Sequence, residues 1–133
     1  MKRYFSLMEV IIVITIIALI AALAIPRILG QGDEAKVQLT KTELCTLAGT
    51  LEQFKLNVGK LPDSLSELVS NNRNLQNWKK LRDEIPKDAW NTEILYDKSS
   101  ATRFGFILKS YGADGQAGGT DVNQDLTFPD SGQ

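Results

Sequence analysis

Three aspartates, Asp114, Asp121 and Asp125, share fifteen residues with four glycines in the stretch YGADGQAGGTDVNQD, residues 111–125. That composition cannot form a regular element, but it can wrap a loop around a hard cation. Ca2+ takes about six to eight oxygens from carboxylates and backbone carbonyls, and glycine lets the carbonyls turn inward. The EF-hand pattern, with its Glu at the twelfth loop position, is absent. The residues alone leave two readings open, a calcium loop or a plain Gly/Asp solvent loop. A second pointed residue is Glu9, at the head of an apolar run over residues 10–25 that only Thr15 interrupts. A carboxylate near the hydrocarbon of a bilayer costs about 2.5–3.5 kcal/mol, so Glu9 calls for a partner.

The rest of the composition narrows the chemistry. The 133 residues have room for one modest domain beside the apolar run. With no histidine and the single Cys45, intrachain disulfides, Cys/His zinc sites and His-based catalysis are excluded. No nucleophile elbow or phosphate loop is present. The net charge is -1, with +2 on residues 1–30 and -3 on the remainder. No Lys/Arg stripe with interleaved aromatics appears, which argues against nucleic acid as a partner.

Three readings compete for the first thirty residues. A cleaved signal peptide is supported by the basic start and by Ala22-Leu23-Ala24, an A-x-A cleavage pattern. Against it stand the length of the run and the position of Glu9. A membrane anchor fits residues 5–25, since about 20 apolar residues cross the hydrocarbon, and Lys2 and Arg3 would hold the N-terminus in the cytoplasm. In the third reading the anchor assembles with copies of itself, and a neighbouring copy supplies the partner of Glu9.

The elements that must carry these residues follow from periodicity. Pro26 predicts a kink or local melting. Beyond it Leu44, Leu47, Leu51, Phe54 and Val58 follow 3-4-3-4 spacing, with Val37 one heptad earlier, on a helix continuing to about Asn57. Gly59 caps its C-terminus. Ser64-x-x-Glu67 predicts a capping box on a short helix whose inner face is Leu65, Leu68 and Val69. Residues 71–77 read as a loop, and Leu75, Trp78 and Leu81 as another helical turn or two. Residues 93–97 and 103–109 read as strands joined by a polar turn at Ser99 and Ser100. The fold class is therefore α+β, a long N-terminal helix on a two- or three-stranded antiparallel sheet. Trp78, Trp90 and Cys45 read as packing residues, and Lys79, Lys80 and residues 82–84 as a solvated face.

FSLMEV (residues 5–10), the apolar run and Pro26 resemble the N-terminus of type IV pilins and type II secretion pseudopilins. Within that superfamily FKLNVGKLP (54–62), IPKDAWN (85–91) and GADGQAGG (112–119) resemble the major pseudopilins, the general secretion pathway protein G family. Residues 63–84 are the least alike. The resemblance implies a type IV pilin-like fold with three parts: a basic prepilin leader (residues 1–4), a transmembrane and assembly helix (5–29) and a periplasmic domain (30–133).

It also implies what the parts do. The leader is removed between Tyr4 and Phe5 by a membrane prepilin peptidase, and Phe5 is N-methylated. Glu9 then pairs with the N-terminal amine of a neighbouring subunit, with Phe5 and Pro26 completing the assembly segment. Tyr4 departs from the glycine the family places before the cut, and its bulk works against processing. The loop is implied to bind one Ca2+ through Asp114 and Asp121 and the carbonyls of Tyr111 and Ala113. Asn123 or Asp125 would stand in for the acidic residue that Val122 replaces. The implied function is structural: a helical homopolymer, the periplasmic pseudopilus, that drives export of folded proteins across the outer membrane. Its implied partners are minor pseudopilins, the inner-membrane assembly platform and the lipid bilayer. A type IV pilus pilin is the alternative. Many such pilins close a C-terminal disulfide, which one cysteine cannot form. A second alternative is a binding domain held at the membrane or released from a signal peptide.

Overall fold

The computed structural model describes the backbone of residues 4–130 and the side chains of residues 4–22 and 32–130. The chain forms two units, Met1–Glu34 and Ala35–Gln133. Helix α1 (Leu7–Val58) contributes to both.

In the first unit, Ser6 starts α1. Its carbonyl accepts from the N–H groups of Glu9 (3.0 Å) and Val10 (3.3 Å), and its Oγ accepts from Met8 N–H (3.3 Å). The Val10 bond is the first regular bond of the helix, and the other two serve first-turn donors that have no i−4 partner. Thr15 turns its hydroxyl back onto the Ile11 carbonyl at 2.7 Å, so the apolar stretch carries no unmet hydroxyl donor there. The aliphatic side chains from Val10 to Ile20 stay 47–68% exposed. The local melting expected at Pro26 is not found: the backbone is helical through that position. Loss of one donor leaves the neighbouring turns bonded. The Pro26 side chain lies outside the described residues. Among the described residues no helix is long and apolar enough to cross a membrane. Within the expected span, the part that is helical and has described side chains is residues 7–22, sixteen residues, short of the ~20 a crossing needs. Positions 23–25 fall among the side chains that are not described.

The second unit is built on the amphipathic half of α1. Leu44, Leu47, Leu51 and Phe54 are all buried, as their spacing predicts, and Val37 and Val58 pack at the edge of the same core. Two residues outside the expected stripe join them, Ala48 and the fully buried Thr40. Gly59 ends the helix in the left-handed conformation at φ 88°, with its N–H on the Lys55 carbonyl at 2.8 Å. That is the cap expected there.

The sheet is a three-stranded antiparallel meander in the order β1 (Leu95–Lys98), β2 (Phe106–Ser110), β3 (Leu126–Phe128). Leu95 stands opposite Lys109 and Lys98 opposite Phe106, while Ser110 stands opposite Leu126. The first two strands begin two or three residues later than their composition predicts. Along β2, Phe106, Leu108 and Ser110 are buried and alternate with half-buried residues, as period-two geometry requires. Phe104, Phe106 and Phe128 meet with centroids 5.1–6.3 Å apart, within the range of favourable aromatic pairs.

Between helix and sheet the chain departs from two sequence expectations. Ser64 precedes a short 3-10 helix (Leu65–Leu68) but makes no side-chain cap bond. The carboxylate of Glu67 is buried and grips Arg73 instead, with Arg73 Nε at 2.8 Å from Oε1 and Nη2 at 2.8 Å from Oε2. A guanidinium with two parallel bonds outcompetes a backbone N–H for a carboxylate. That pairing raises the pKa of Arg73. Asp63 bonds both Lys98 and Arg73. The Lys98 hydrogen bond, reinforced by the charge of Arg73, holds its carboxyl below the usual range. Leu75, Trp78 and Leu81 do pack on the core, yet they form no helix. Asn74 and Asn77 take φ of 50° and 60°, and the N–H groups of Leu81 and Arg82 both reach back to the Leu68 carbonyl at 3.0 and 3.1 Å. Cys45 is exposed, not packed. It follows Leu44 around the helix and turns away from the core.

Candidate functional site

The segment of residues 85–92 folds around one buried carboxylate. Asp88 Oδ1 accepts from the backbone N–H groups of Trp90 (3.0 Å) and Thr92 (2.9 Å), and its own N–H donates to the Thr92 carbonyl at 2.8 Å. Asp88 Oδ2 accepts from the Ser110 hydroxyl at 2.7 Å. Asp88 and Ser110 are only 6% and 1% exposed. Three accepted bonds answer the desolvation cost of the buried acid, which has no cationic partner among the described residues. One residue on, Ala89 N–H donates to Thr40 Oγ1 of α1 at 3.1 Å. Trp90 packs against the core as expected, with its indole N–H buried and unpaired among the described residues.

Ser110 closes β2 and leads directly into the Gly/Asp loop. Gly112 N–H donates to Ser110 Oγ at 3.3 Å. Gly112 has φ of 72°, and a Cβ there would lie 2.8 Å from the carbonyl oxygens of both Val122 and Gln124. Gly119 has φ of 96°, and its Cβ would lie 2.4 Å from the Asn123 oxygen. Only glycine permits these approaches. Ala113 N–H donates to the Val122 carbonyl at 2.9 Å. The two limbs of the loop are thus pressed together, with backbone oxygens gathered where side chains are missing.

The carboxylates are disposed differently from one another. Asp114 is exposed, and its Oδ1 accepts only the local Gln116 N–H at 3.1 Å. Asp121 is exposed, has φ of 55° and opens a short 3-10 turn (Asp121–Asn123). Its carboxylate has no hydrogen bond or ion pair among the described residues. Asp125 is already engaged, with Oδ1 taking the Gly118 N–H at 2.9 Å and Oδ2 at 3.7 Å from Lys109 Nζ. Lys109 Nζ also lies 5.9 Å from the centroid of the Tyr111 ring. Among the described residues no three acidic, Cys or His side chains converge on one point. Two carboxylates with backbone carbonyls do not require such a trio. The donors at hand are all oxygens, the set a calcium ion selects, and the glycine-lined closure leaves room for carbonyls where side chains would stand.

At the other end of the chain, Glu9 lies in the first turn of α1. Its carboxylate has no partner among the described residues, and Tyr4 and Phe5 precede the helix almost fully exposed.

A family model described as Type II secretion system (T2SS), protein G matches residues 27–128. The chain belongs to that protein G family. Among its relatives, the type II secretion system core protein G of Xanthomonas campestris pv. campestris is 35% identical over 125 residues, covering 92% of this chain and 87% of the relative. The core protein G of Pseudomonas aeruginosa is 31% identical over 130 residues, with 92% and 91% covered. That of Escherichia coli K12 is 27% identical over 131 residues, with 90% and 88% covered. Membership in the protein G family makes the chain a structural subunit of a secretion system and not an enzyme.

Asp88, Ser110 and Thr40 were not among the residues singled out from the sequence. A signal for Ser110 existed: period-two alternation from Phe106 and Leu108 places it inside, where a hydroxyl must find a partner. Thr40 carried a similar one, filling the gap in the 3-4 stripe between Val37 and Leu44.

Proposed function

We propose that the chain polymerises through its N-terminal helix into the periplasmic pseudopilus of a type II secretion system and so drives folded proteins across the outer membrane. In this proposal residues 5–25 hold the subunit in the inner membrane before assembly, with the N-terminus cytoplasmic and the globular unit periplasmic. A prepilin peptidase removes residues 1–4, and Phe5 carries the methylated amine. Minor pseudopilins and the inner-membrane assembly platform are the partners. Glu9 meets the Phe5 amine of an adjacent subunit, with Pro26 in the same assembly segment.

Besides family membership, one observation carries this proposal: α1 presents an exposed aliphatic surface from Val10 to Ile20, interrupted only by Thr15, with a single carboxylate at its head that has no partner among the described residues. Burying one such side chain is worth about 1.5–3 kcal/mol, so this surface belongs in lipid or against other helices. A carboxylate buried with it is tolerated when an opposite charge is adjacent.

For the loop we propose Ca2+. Asp114 and Asp121 would hold it, with the carbonyls of Tyr111 and Ala113 and with Asn123 or Asp125 in supporting positions. Bound there, the ion links the limbs of residues 111–125 through oxygens and neutralises their excess negative charge. Asp114 and Asp121 have no cationic partner among the described residues, whereas Asp125 has Lys109, which ranks it lower.

Two measurements test the assembly proposal. The mass of the membrane-extracted chain should correspond to a cut before Phe5 plus one methyl group. Electron microscopy of cells overproducing the chain with its secretion system should show filaments that bind antibody against residues 35–133. A mass matching a cut after Ala24 means a released soluble domain and ends the proposal.

A further inference from the structure

The Gly112 N–H and the Tyr111 carbonyl are the two ends of one peptide group, planar and trans. The N–H is held on Ser110 Oγ at 3.3 Å, so the Tyr111 carbonyl must point the opposite way, away from the buried hydroxyl. Ser110 has one proton to donate, and Asp88 Oδ2 takes it at 2.7 Å. That leaves the lone pairs of the hydroxyl for Gly112. Asp88 cannot swing aside, because Oδ1 is held by the N–H groups of Trp90 and Thr92 at 3.0 and 2.9 Å. The next peptide is fixed separately, by Ala113 N–H on the Val122 carbonyl at 2.9 Å.

An apolar residue would continue the inward face of Phe106 and Leu108 at position 110. The chain instead buries a hydroxyl and an acid there, at 1% and 6% exposure. An uncompensated acid in that place is costly; its Oδ1 holds the turn of residues 88–92, and its Oδ2 orients the Ser110 hydroxyl that holds the Gly112 N–H.

We infer that Ser110, oriented by Asp88, is a positioning residue for a divalent cation in the loop of residues 111–125: it aims the Tyr111 carbonyl at the cation without touching it. This role rests on calcium occupying that loop, as proposed above. Ser110 and Asp88 stand to the bound ion as outer partners that orient a ligand, and loss of such partners typically weakens metal affinity by about 10–100-fold.

The test uses the full chain in detergent micelles, with Tb3+ as a luminescent probe displaced by Ca2+. Ser110→Ala should weaken Ca2+ competition by about tenfold or more. Luminescence lifetimes in H2O and D2O should report an additional water on the bound ion, where the carbonyl has turned away. Ser110→Thr, which keeps the hydroxyl, should restore both the affinity and the hydration number. A general loss of stability does not change the hydration number of the ion in the molecules that remain folded. If Ser110→Ala fails to fold by circular dichroism, Ser110→Cys under reducing conditions replaces it, being close in size but a weak hydrogen bonder. Wild-type affinity and hydration in the variant would overturn the role of Ser110 while leaving calcium in place. Absence of Tb3+ and Ca2+ binding by the wild type would overturn the calcium proposal itself, and the role of Ser110 with it.

Discussion

Thr40 and Ala89 lie 49 residues apart and share a hydrogen bond, the Ala89 N–H donating to Thr40 Oγ1 over 3.1 Å. Thr40 sits on the core face of α1 at 0% exposure, where an aliphatic residue would be the ordinary choice. Its hydroxyl meets a backbone donor that the turn around Asp88 leaves over. Thr40→Val keeps the shape and removes the acceptor, leaving that N–H without its partner. The expected cost is about 1–3 kcal/mol, or a fall in melting temperature of roughly 4–8 °C per kcal/mol for a domain of this size. Thr40→Ser should fall less, since the hydroxyl remains. Thermal unfolding of both variants in the same detergent decides the matter; an unchanged Thr40→Val would show the bond to be idle.

Apolar spacing made much of the fold legible and polar competition hid the remainder. Leu44, Leu47, Leu51 and Phe54 are buried because a 3-4 repeat has one helical solution. The hairpin of β1 and β2 was visible in its β-branched and aromatic content, but β3 is three residues beside a glycine-rich loop, too short to show a period. Ser64 and Glu67 have the spacing of a capping box, yet Arg73 takes the carboxylate, and no local rule foresees a competitor six residues on. Leu75, Trp78 and Leu81 mimic helical spacing while Trp78 Nε1 is drawn to the Glu67 carbonyl at 2.6 Å, a contact that belongs to irregular backbone. The loop of residues 111–125 stood out by composition. Its anchor, Asp88, did not, since that acid joins its own turn, through Trp90 and Thr92, to Ser110 on a strand 22 residues on.

The Tyr96 hydroxyl donates to the Pro62 carbonyl at 2.7 Å. Burial, followed by the negative charges of Asp63, Glu67 and Asp97, raises its pKa from 10.0 to about 12. Below pH 10 both folded and unfolded chains keep the phenol proton, and its contribution is fully present. Between pH 10 and about 12 the unfolded chain has released the proton while the folded chain retains it, so stability declines as pH rises. Tyr96→Phe should cost about 1 kcal/mol at neutral pH through the lost hydrogen bond. The gap between wild type and variant should then narrow from pH 10 upward. Comparing the two cancels the titration of lysines, which falls in the same range. Parallel curves in urea unfolding across that range would remove Tyr96 from the alkaline response.

Calcium should raise the melting temperature of the chain, and excess chelator should reverse the rise. At a free concentration about a hundred times Kd the stabilisation is roughly 2.7 kcal/mol if the unfolded chain does not bind. Asp114 is exposed and bonded only to the nearby Gln116 N–H, so Asp114→Ala should change the metal-free melting temperature little and abolish the calcium-dependent rise. Asp121→Ala should likewise abolish the rise, with some fall in the metal-free value because position 121 has φ of 55°, which aspartate tolerates better than alanine. Asp125→Ala should also lower the metal-free value, because its carboxylate already ties Gly118 and Lys109 together. Differential scanning calorimetry with and without calcium separates the three, and equal melting temperatures in both conditions for the wild type would remove calcium from the loop.

Glu9 is exposed at the start of α1, and its carboxylate has no hydrogen bond or ion pair among the described residues, so its replacement should not disturb the fold of one subunit. Glu9→Leu makes the apolar run more continuous and should insert into membranes at least as well. Assembly should respond in the opposite sense. A carboxylate and an amine about 4 Å apart at an effective dielectric near 20 attract by about 4 kcal/mol, and the variant forfeits that attraction at every subunit junction. Filament yield should therefore collapse while the membrane content of the subunit is maintained, with Glu9→Gln intermediate because the amide still accepts a hydrogen bond. Moving the amine should mimic moving the acid: a chain kept uncut before Phe5 should also fail to enter filaments, and Tyr4→Gly should speed the cut. Sedimentation of sheared filaments beside a membrane-fraction immunoblot measures both quantities at once. Glu9→Leu filaments at wild-type yield would mean that the carboxylate meets no amine, and that the apolar surface alone holds the subunits together.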